Sequence, residues 1–181
     1  MKRFALFVSL ITLSSIMFYS CSEVIQSDNG IQSEFLGIKF GDTIEDIKIK
    51  NPSKDLSVDG DWIIEHHVEF AGRKWDEMQI KLKNNKVCLI NFVNKTFSGN
   101  ADMGLLSETG RLESNFDEIL SDLIKKYDMK EFKNGYYDEI GNKRVELIMS
   151  YGFVYDELIL RYEDKNLSGK SKKESDTFKQ I

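Results

Sequence analysis

The feature that most constrains the fold is a run of strand-like alternation that extends, with two short polar interruptions, over residues 62–97. Apolar and polar residues alternate in residues 62–70 and again in 75–82, and residues 87–93 are apolar on both alternating sets. A period of two is typical of a half-buried β-strand, and apolar residues on both sets indicate a strand that is buried on both faces. The polar turn at residues 83–86 carries two adjacent asparagines, which tolerate the left-handed backbone of a tight hairpin. The sequence therefore predicts a three-stranded antiparallel meander.

One helix is predicted before this meander and another after it. Thr43 followed by Asp46 resembles a capping box, so the first helix should begin there and end by Pro52. Ser114 is placed to cap the second helix, with Asp117 at its third position. Apolar residues then recur at the three- and four-residue spacing of an amphipathic helix. These residues are Phe116, Ile119, Leu120, Leu123, Ile124 and Tyr127.

Three further strands are predicted at residues 132–140, 144–151 and 157–162, so the order helix, strand, strand, strand occurs twice. Short connections favour antiparallel pairing, and each helix needs a sheet face to cover its apolar stripe. We therefore predict an α+β fold for a single domain at residues 34–162, in which two helix-plus-meander units place their helices on one side of an antiparallel sheet. No residue identity supports a duplication, and whether the two halves are a true duplication is left open.

The amino-terminal residues have the composition of an export signal. Met1, Lys2 and Arg3 form a cationic start, residues 4–18 are uncharged and mostly apolar, and the chain turns polar at Cys21. These are the parts of a secretory signal peptide. The pattern resembles bacterial lipoprotein signals, in which the cysteine after the cleavage site is linked to diacylglycerol. Ordinary secretion and an uncleaved amino-terminal anchor are the alternatives, although the apolar run is shorter than the roughly 20 residues that span a bilayer.

This resemblance implies a domain organisation and a location. It implies a signal peptide at residues 1–20 and lipid attachment through Cys21, with two or three acyl chains such as palmitate. Ser22 rather than Asp follows the cysteine, which implies the outer membrane of the cell envelope. Residues 21–33 then form a polar tether, and the mixed-charge tail at 163–181 is predicted to be disordered. Whether the domain faces the periplasm or the cell surface is left open.

Composition excludes nucleic-acid partners and a disulfide-based fold. The chain has 25 basic and 30 acidic residues, and loss of Lys2 and Arg3 with a signal peptide leaves 23 and 30, a net charge of −7. Binding to phosphate backbones requires a basic patch, so we expect no nucleic acid as partner. Cys21 and Cys88 are the two cysteines, and lipidation of the first leaves no disulfide partner for the second. Cys88 is then a small apolar residue in a central strand, with a nucleophilic role as the alternative.

Candidate catalytic or metal-binding residues are few. Glu65, His67 and Glu69 share one face of a regular strand, and one imidazole with two carboxylates can form a zinc ligand set. A solvated polar face is the simpler interpretation, and His66 is interpreted as a half-buried core histidine. The chain has no nucleophile elbow, phosphate loop, paired-histidine zinc motif or dinucleotide fingerprint. We therefore predict no catalytic residue, no metal and no cofactor.

Two stretches are candidates for recognition. Residues 98–111 form a long connection with apolar side chains at Met103, Leu105 and Leu106, which either pack on the sheet or dock a partner. Residues 151–155, Tyr-Gly-Phe-Val-Tyr, form an aromatic cluster at a hairpin end. We expect these rings to fold back on the core, and recognition is the alternative.

Residues 35–47 resemble the helix opening of small outer-membrane assembly lipoproteins of the SmpA/OmlA type and of β-lactamase-inhibitor-like domains. The shared pattern is a glycine, a capping threonine, an acid pair and an aliphatic residue, here Gly41, Thr43, Glu45, Asp46 and Ile47. These families imply binding or scaffolding and supply no catalytic residues. We therefore predict a lipid-anchored envelope module that is not an enzyme, with a protein or envelope component as partner. The alternatives are a secreted hydrolase that uses a metal at Glu65, His67 and Glu69, and an inhibitor of an envelope enzyme.

Overall fold

The computed structural model describes residues 30–52, 56–97 and 106–169. Within these residues the chain forms ten strands and three helices. The strands are β1 (Glu34–Phe35), β2 (Ile38–Lys39), β3 (Ser57–Asp59), β4 (Trp62–Phe70), β5 (Arg73–Lys83), β6 (Lys86–Phe97), β7 (Lys130–Phe132), β8 (Gly135–Ile140), β9 (Lys143–Tyr151) and β10 (Tyr155–Asp164). The helices are α1 (Ile44–Lys50), α2 (Leu106–Ile124) and α3 (Lys165–Ser168).

Eight of the strands in the described part of the chain form one antiparallel sheet, in the spatial order β3-β4-β5-β6-β10-β9-β8-β7. The meander predicted for β4, β5 and β6 is confirmed. Asn84 and Asn85 have φ angles of 52° and 58°, so the β5–β6 turn has the left-handed backbone that adjacent asparagines tolerate. The strand β10 returns to pair with β6 from Leu89 to Phe97, and this pairing joins the two halves of the chain.

The predicted α+β fold with two helix-plus-meander units is wrong. Because β10 pairs with β6, the strands of both halves belong to one large antiparallel sheet rather than to two units. The helices are also a smaller part of the fold than we expected. The first helix has seven residues and buries only Ile47 in the core. The described part of the chain is therefore mostly sheet, with few and mostly short helices.

The two predicted helix starts have different outcomes. The capping box of α1 is confirmed, because Thr43 Oγ1 accepts from the Asp46 N–H at 3.2 Å and Asp46 Oδ2 accepts from the Thr43 N–H at 2.9 Å. The start predicted at Ser114 is wrong, since α2 begins eight residues earlier at Leu106. Leu112 is buried, so the apolar stripe of α2 already begins before Ser114.

The core lies on the face of the sheet that α2 contacts. Its aromatic centre is Phe92 on β6, which stacks on Phe70 at a centroid distance of 4.0 Å and lies 5.8 Å from Trp75. The β1–β2 hairpin adds Phe35, whose ring is 4.6 Å from that of Tyr162. Apolar side chains from α2 complete the cluster: Leu112, Ile119 and Leu123.

The ordered chain continues past the domain boundary predicted at residue 162. The last strand runs to Asp164, and α3 follows, with Asp164 Oδ1 accepting from the N–H groups of Asn166 and Leu167. Cys21 and the predicted signal peptide at residues 1–20 lie outside the described residues. None of the helices in the described ranges is both long enough and apolar enough to cross a membrane.

Candidate functional site

A group of exposed apolar side chains lies at one end of the sheet, and we call it the aromatic tip. The exposed fractions are 98% for Phe153, 64% for Tyr151, 50% for Tyr155, 49% for Phe97 and 46% for Val154. The rings of Phe97 and Tyr155 meet edge to face at 5.7 Å. The expectation that the rings of residues 151–155 fold back on the core is therefore wrong.

The β9–β10 turn holds the aromatic tip away from the core. A Cβ atom at Gly152 would lie 2.3 Å from the carbonyl oxygen of Tyr155, so the turn is too tight for any other residue without rearrangement. Tyr151 pairs with Asp156 at the last position of the β9–β10 ladder, and Tyr155 pairs with Phe97 at the end of β6. The tip is consequently built from the ends of three neighbouring strands.

The chain enters the fold near the opposite end of the sheet. The Phe40 N–H donates to the Ser33 carbonyl, and the Gly41 N–H donates to the Val87 carbonyl near the start of β6. From Val87 to Phe97 the strand rises by about 33 Å, at about 3.3 Å per residue. The segment after the predicted tether and the aromatic tip are thus separated by nearly the full length of β6.

A groove opens beside the aromatic tip, and we call it the acidic groove. It has a volume of about 420 Å³ and lies between the first half of α2, the β7–β8 turn and the end of β9. Apolar side chains and one glycine form part of its lining: Phe116, Phe132, Gly135, Tyr136, Met149 and Tyr151. Its charged residues are Glu113, Asp117, Glu131 and Lys133, so three of the four are acidic.

Tyr151 is the wall residue that the acidic groove shares with the aromatic tip, and nearby acidic side chains affect its pKa. Partial burial raises the pKa of the Tyr151 hydroxyl, and the negative charges of Glu113 and Asp156 raise it further. The floor is packed, because the rings of Phe116 and Tyr136 lie 6.2 Å apart. The arrangement is a groove of mixed polar and apolar lining, in which most of the charged residues are acidic and one wall residue, Tyr151, belongs to the aromatic tip.

A second cavity, of about 450 Å³, lies on the other side of α2. Its lining includes His67, Trp75, Asp76, Asn94 and Arg111. Hydrogen bonds within the sheet hold part of this lining, because Asn94 Oδ1 accepts from the Asp76 N–H and Asp76 Oδ2 accepts from the Lys95 N–H. The regular pairing of β5 with β6 ends at Glu77 and Val93, and these side-chain bonds join the two strands beyond that point.

The backbone at His67 breaks the alternation of β4. Ile63 and Val68 both enter the core although they are five residues apart, which a regular strand does not allow. His67 has a φ of 56°, and this left-handed backbone conformation changes which of the following residues of β4 face the core. Glu65 therefore lies opposite Met78 on the core side, whereas Glu69 lies opposite Lys74 on the other side.

The three residues of the alternative zinc site, Glu65, His67 and Glu69, are not brought together. Glu65 and Glu69 are on opposite faces, so the expectation that they share a face with His67 is wrong. Within residues 30–52, 56–97 and 106–169, no three His, Cys, Asp or Glu side chains form a group that could hold a metal. The interpretation of His66 as a half-buried core residue is also wrong, since its side chain is 57% exposed and its Nδ1 lies 3.9 Å from Glu77 Oε1.

The face of the sheet opposite the core carries a polar network that the sequence did not predict. Arg161 Nε donates to Asn91 Oδ1 at 3.0 Å, and Arg161 Nη1 donates to Glu146 Oε2 at 3.3 Å. Lys95 Nζ donates to Glu77 Oε2 at 2.9 Å. Burial alone would raise the pKa of Glu77, but the hydrogen bonds from Gln79 and Lys95, together with the charges of Lys95 and His66, hold this pKa below its ordinary value. The alternating polar residues of β5, β6 and β10 were the available signal, but their pairing depends on the sheet order.

Cys88 is 1% exposed in β6, as expected for a small apolar residue of a central strand. Burial raises the pKa of its thiol, and its Sγ donates to the Lys81 carbonyl at 3.5 Å. A raised pKa lowers the thiolate fraction at neutral pH, so the surroundings of Cys88 do not favour a nucleophile.

Comparison with family models, with characterised proteins and with solved structures finds no match to this chain. The resemblances to lipoprotein signals and to outer-membrane assembly lipoproteins therefore stay predictions. The aromatic tip and the acidic groove are the candidate functional site on the geometry alone.

Proposed function

We propose that this chain is a lipid-anchored, non-enzymatic binding module of the bacterial outer membrane, and that the aromatic tip docks a protein partner. The observation that carries the proposal is the exposure of five large apolar side chains at one end of the sheet, with Phe153 98% exposed. Contiguous apolar patches on a protein surface mark interaction sites more often than chance exposure. Aromatic residues are enriched in the buried centres of protein interfaces.

The energetics favour burial of the tip in a complex. Full burial of a Phe side chain contributes about 1.5–3 kcal/mol relative to exposure in water. The side chains of Phe153, Tyr151 and Tyr155 are all at least half exposed, so a partner that covers them gains several such contributions. The tight turn at Gly152 limits the backbone freedom that binding has to remove.

The separation between the start of the fold and the tip supports the anchored arrangement. Ser33 lies near the start of β6 and the tip near its end, about 33 Å away at about 3.3 Å per residue. A lipid on Cys21 would tie the amino-terminal side of the domain to the membrane through the predicted tether. The tip would then be free to reach a partner at a distance from that membrane.

Crosslinking in intact cells tests the binding role. We expect the parent protein to form a crosslinked species of defined mass, and the double variant Phe153→Ser/Tyr155→Ser to lose it. The matched control is Ile49→Ser on α1, because Ile49 is 77% exposed and lies outside the tip. If the tip variant keeps every crosslinked species that the control keeps, the tip is not the docking surface.

Mass spectrometry of the mature amino terminus tests the anchor separately. We expect residue 21 at the amino terminus, carrying diacylglycerol on its sulfur. An unmodified amino terminus at any other residue would remove the anchor from the proposal and leave the docking surface in place. Inhibition of an envelope enzyme is one form that docking can take, and a panel of envelope hydrolases assayed with the protein in excess tests it directly.

A further inference from the structure

We propose that the acidic groove binds a segment of a partner protein in which basic residues flank large apolar side chains. The inference rests on the proposed function and deepens it, because it names the chemistry of the partner. The groove and the aromatic tip share Tyr151, which is a wall of the groove and is 64% exposed. A segment docked in the groove can therefore continue onto the tip across Tyr151.

The lining selects large apolar side chains. Phe116 and Tyr136 form a packed aromatic floor, and Met149 and Tyr151 adjoin it from β9. Methionine adapts to different apolar partners, and aromatic side chains supply large, rigid apolar contact area. The volume of about 420 Å³ is within the usual range of about 300–1,000 Å³ for sites that bury a bound molecule.

The charges select basic residues. Glu113 and Asp117 lie on α2, Glu131 lies on β7, and Lys133 is the one basic side chain in the described lining. Opposite charge around an apolar centre attracts the partner and rejects segments of the same charge, with the effect strongest at low salt. An acidic segment would place carboxylates beside Glu113 and Asp117. Charge complementarity therefore assigns a basic segment rather than a neutral or acidic one.

The glycine at the start of β8 lets this strand lie close against β9 where the two strands line the groove. Gly135 lines the groove, and β8 approaches β9 so closely there that an added Cβ atom would lie 1.9 Å from the Leu147 carbonyl oxygen. The Met149 N–H donates to the Asn134 carbonyl at 2.9 Å, which fixes the β7–β8 turn against β9. The groove is consequently preformed, and binding needs little ordering of its walls.

Binding of defined heptapeptides to the full-length mature protein tests the inference. The probe is the peptide KLFKLFK, and the charge-reversed probe is ELFELFE, both measured by fluorescence polarisation at low and at physiological salt. We expect saturable binding of the basic peptide, weakened by salt, and no saturable binding of the acidic peptide at up to about 1 mM. Equal binding of both peptides, or of neither, would overturn the proposal.

Two pairs of variants locate the site. Glu113→Gln/Asp117→Asn should weaken binding of KLFKLFK about tenfold, whereas Glu34→Gln/Asp128→Asn, with the same change in net charge outside the groove, should not. Tyr151→Ser should weaken it by a similar factor, whereas Ile49→Ser should not. All six side chains are exposed, so folding should survive, and circular dichroism checks it. Equal losses in a variant and its control would show general charge or apolar attraction and refute the assignment.

One further variant separates a partner from the chain's own basic tail. Residues 170–181 include Lys172, Lys173 and Phe178, which have the same chemistry as the proposed segment. Unchanged affinity for KLFKLFK after removal of residues 170–181 supports an external partner, and a large gain would show that the tail occupies the groove and overturn the proposal. If the tip variant loses its crosslinked partner while no peptide binds, the proposed function stands and the groove assignment fails.

Discussion

Replacing Gly135 by alanine should destabilise the fold strongly, although it adds a single methyl group. An ideal Cβ atom at this position lies 1.9 Å from the Leu147 carbonyl oxygen and 3.0 Å from the Ile148 Cα. Both atoms belong to the backbone of β9, so no side-chain rotation relieves the contact. The two strands must move apart, or the hairpin must twist away from the sheet.

The size of the effect follows from this distance. Contacts of Cβ atoms below 3.0 Å essentially do not occur, so β8 must retreat from Leu147 by about 1 Å. A ladder hydrogen bond of about 2.9 Å would then exceed its useful length. Loss of one such bond costs about 1 kcal/mol, and overpacking adds about 1–3 kcal/mol. We expect the free energy of unfolding to fall by about 2–4 kcal/mol.

The same substitution at Gly110 is the matched control, and it should have the opposite sign. Gly110 lies inside α2, and among the described residues an added Cβ atom there meets no atom within 4 Å beyond its chain neighbours and the backbone of its own helix. Alanine is more favourable than glycine in a helix interior by about 0.8–1.0 kcal/mol. Gly110→Ala should therefore stabilise the protein by roughly that amount, whereas Gly135→Ala destabilises it.

Urea unfolding followed by tryptophan fluorescence measures both effects. With a slope of about 2 kcal/mol/M, Gly135→Ala should lower the midpoint by about 1–2 M, and Gly110→Ala should raise it by about 0.5 M. Circular dichroism before unfolding checks that both variants retain the sheet. A Gly135→Ala midpoint within about 0.2 M of the parent would refute the close approach of β8 to β9.

Three further predictions use the same unfolding assay or a simple extension of it. Phe92→Ala should cost about 3–5 kcal/mol because Phe92 is fully buried, whereas Phe153→Ala should change the free energy of unfolding by less than about 0.5 kcal/mol because Phe153 is 98% exposed. The pKa of Glu77 is lowered despite burial by hydrogen bonds that include one from Lys95, so its stabilisation is present above about pH 4.3 and is lost as the pH falls through the lower folded value. The urea midpoint of Glu77→Gln, measured from pH 7 to pH 3, should accordingly depend less on pH than that of the parent. The thiol of Cys88 should stay unreactive towards an aromatic disulfide reagent at pH 8 in the folded protein and react in urea, and rapid labelling without urea would contradict its burial.

Local patterns predicted the elements of the first half of the chain well. The capping box at Thr43 and the paired asparagines at Asn84 and Asn85 act through contacts between near neighbours, so a single segment of sequence contains the whole signal. The alternation in residues 62–97 likewise reports burial on one or both faces. These features predicted β4, β5, β6 and α1 without knowledge of the fold.

The order of the sheet could not be predicted in the same way. Pairing of β10 with β6 joins Tyr162 to Ile90, residues that are far apart in sequence. Apolar faces on both strands are compatible with several partners, because strand pairing is chosen by the sum of contacts over the whole sheet. Two separate units and one continuous sheet therefore have the same local pattern, and the prediction of two units failed at this point.

The candidate site was missed for two different physical reasons. The left-handed residue His67 moved Glu65 and Glu69 to opposite faces, and periodicity alone cannot anticipate an irregular residue inside a strand. The rings of residues 151–155 were expected to pack on the core because large apolar side chains are usually buried. Whether the rings at a hairpin end can pack on the core depends on the length of that hairpin relative to the neighbouring strands. This relative length is a property of the assembled sheet.

The lengths of the neighbouring strands explain why the aromatic tip is exposed. The β9–β10 ladder extends to the pair Tyr151 and Asp156, whereas β8 begins at Gly135, which pairs with Ile148. Three residues of β9 thus project beyond the start of β8, and the rings at the tip lie past the level at which the sheet is covered on that side. Exposed aromatic rings contribute little to folding and favour aggregation. The exposure of these rings beside an acidic groove is the observation that supports the proposed burial against a partner, and the peptide and crosslinking experiments measure that burial.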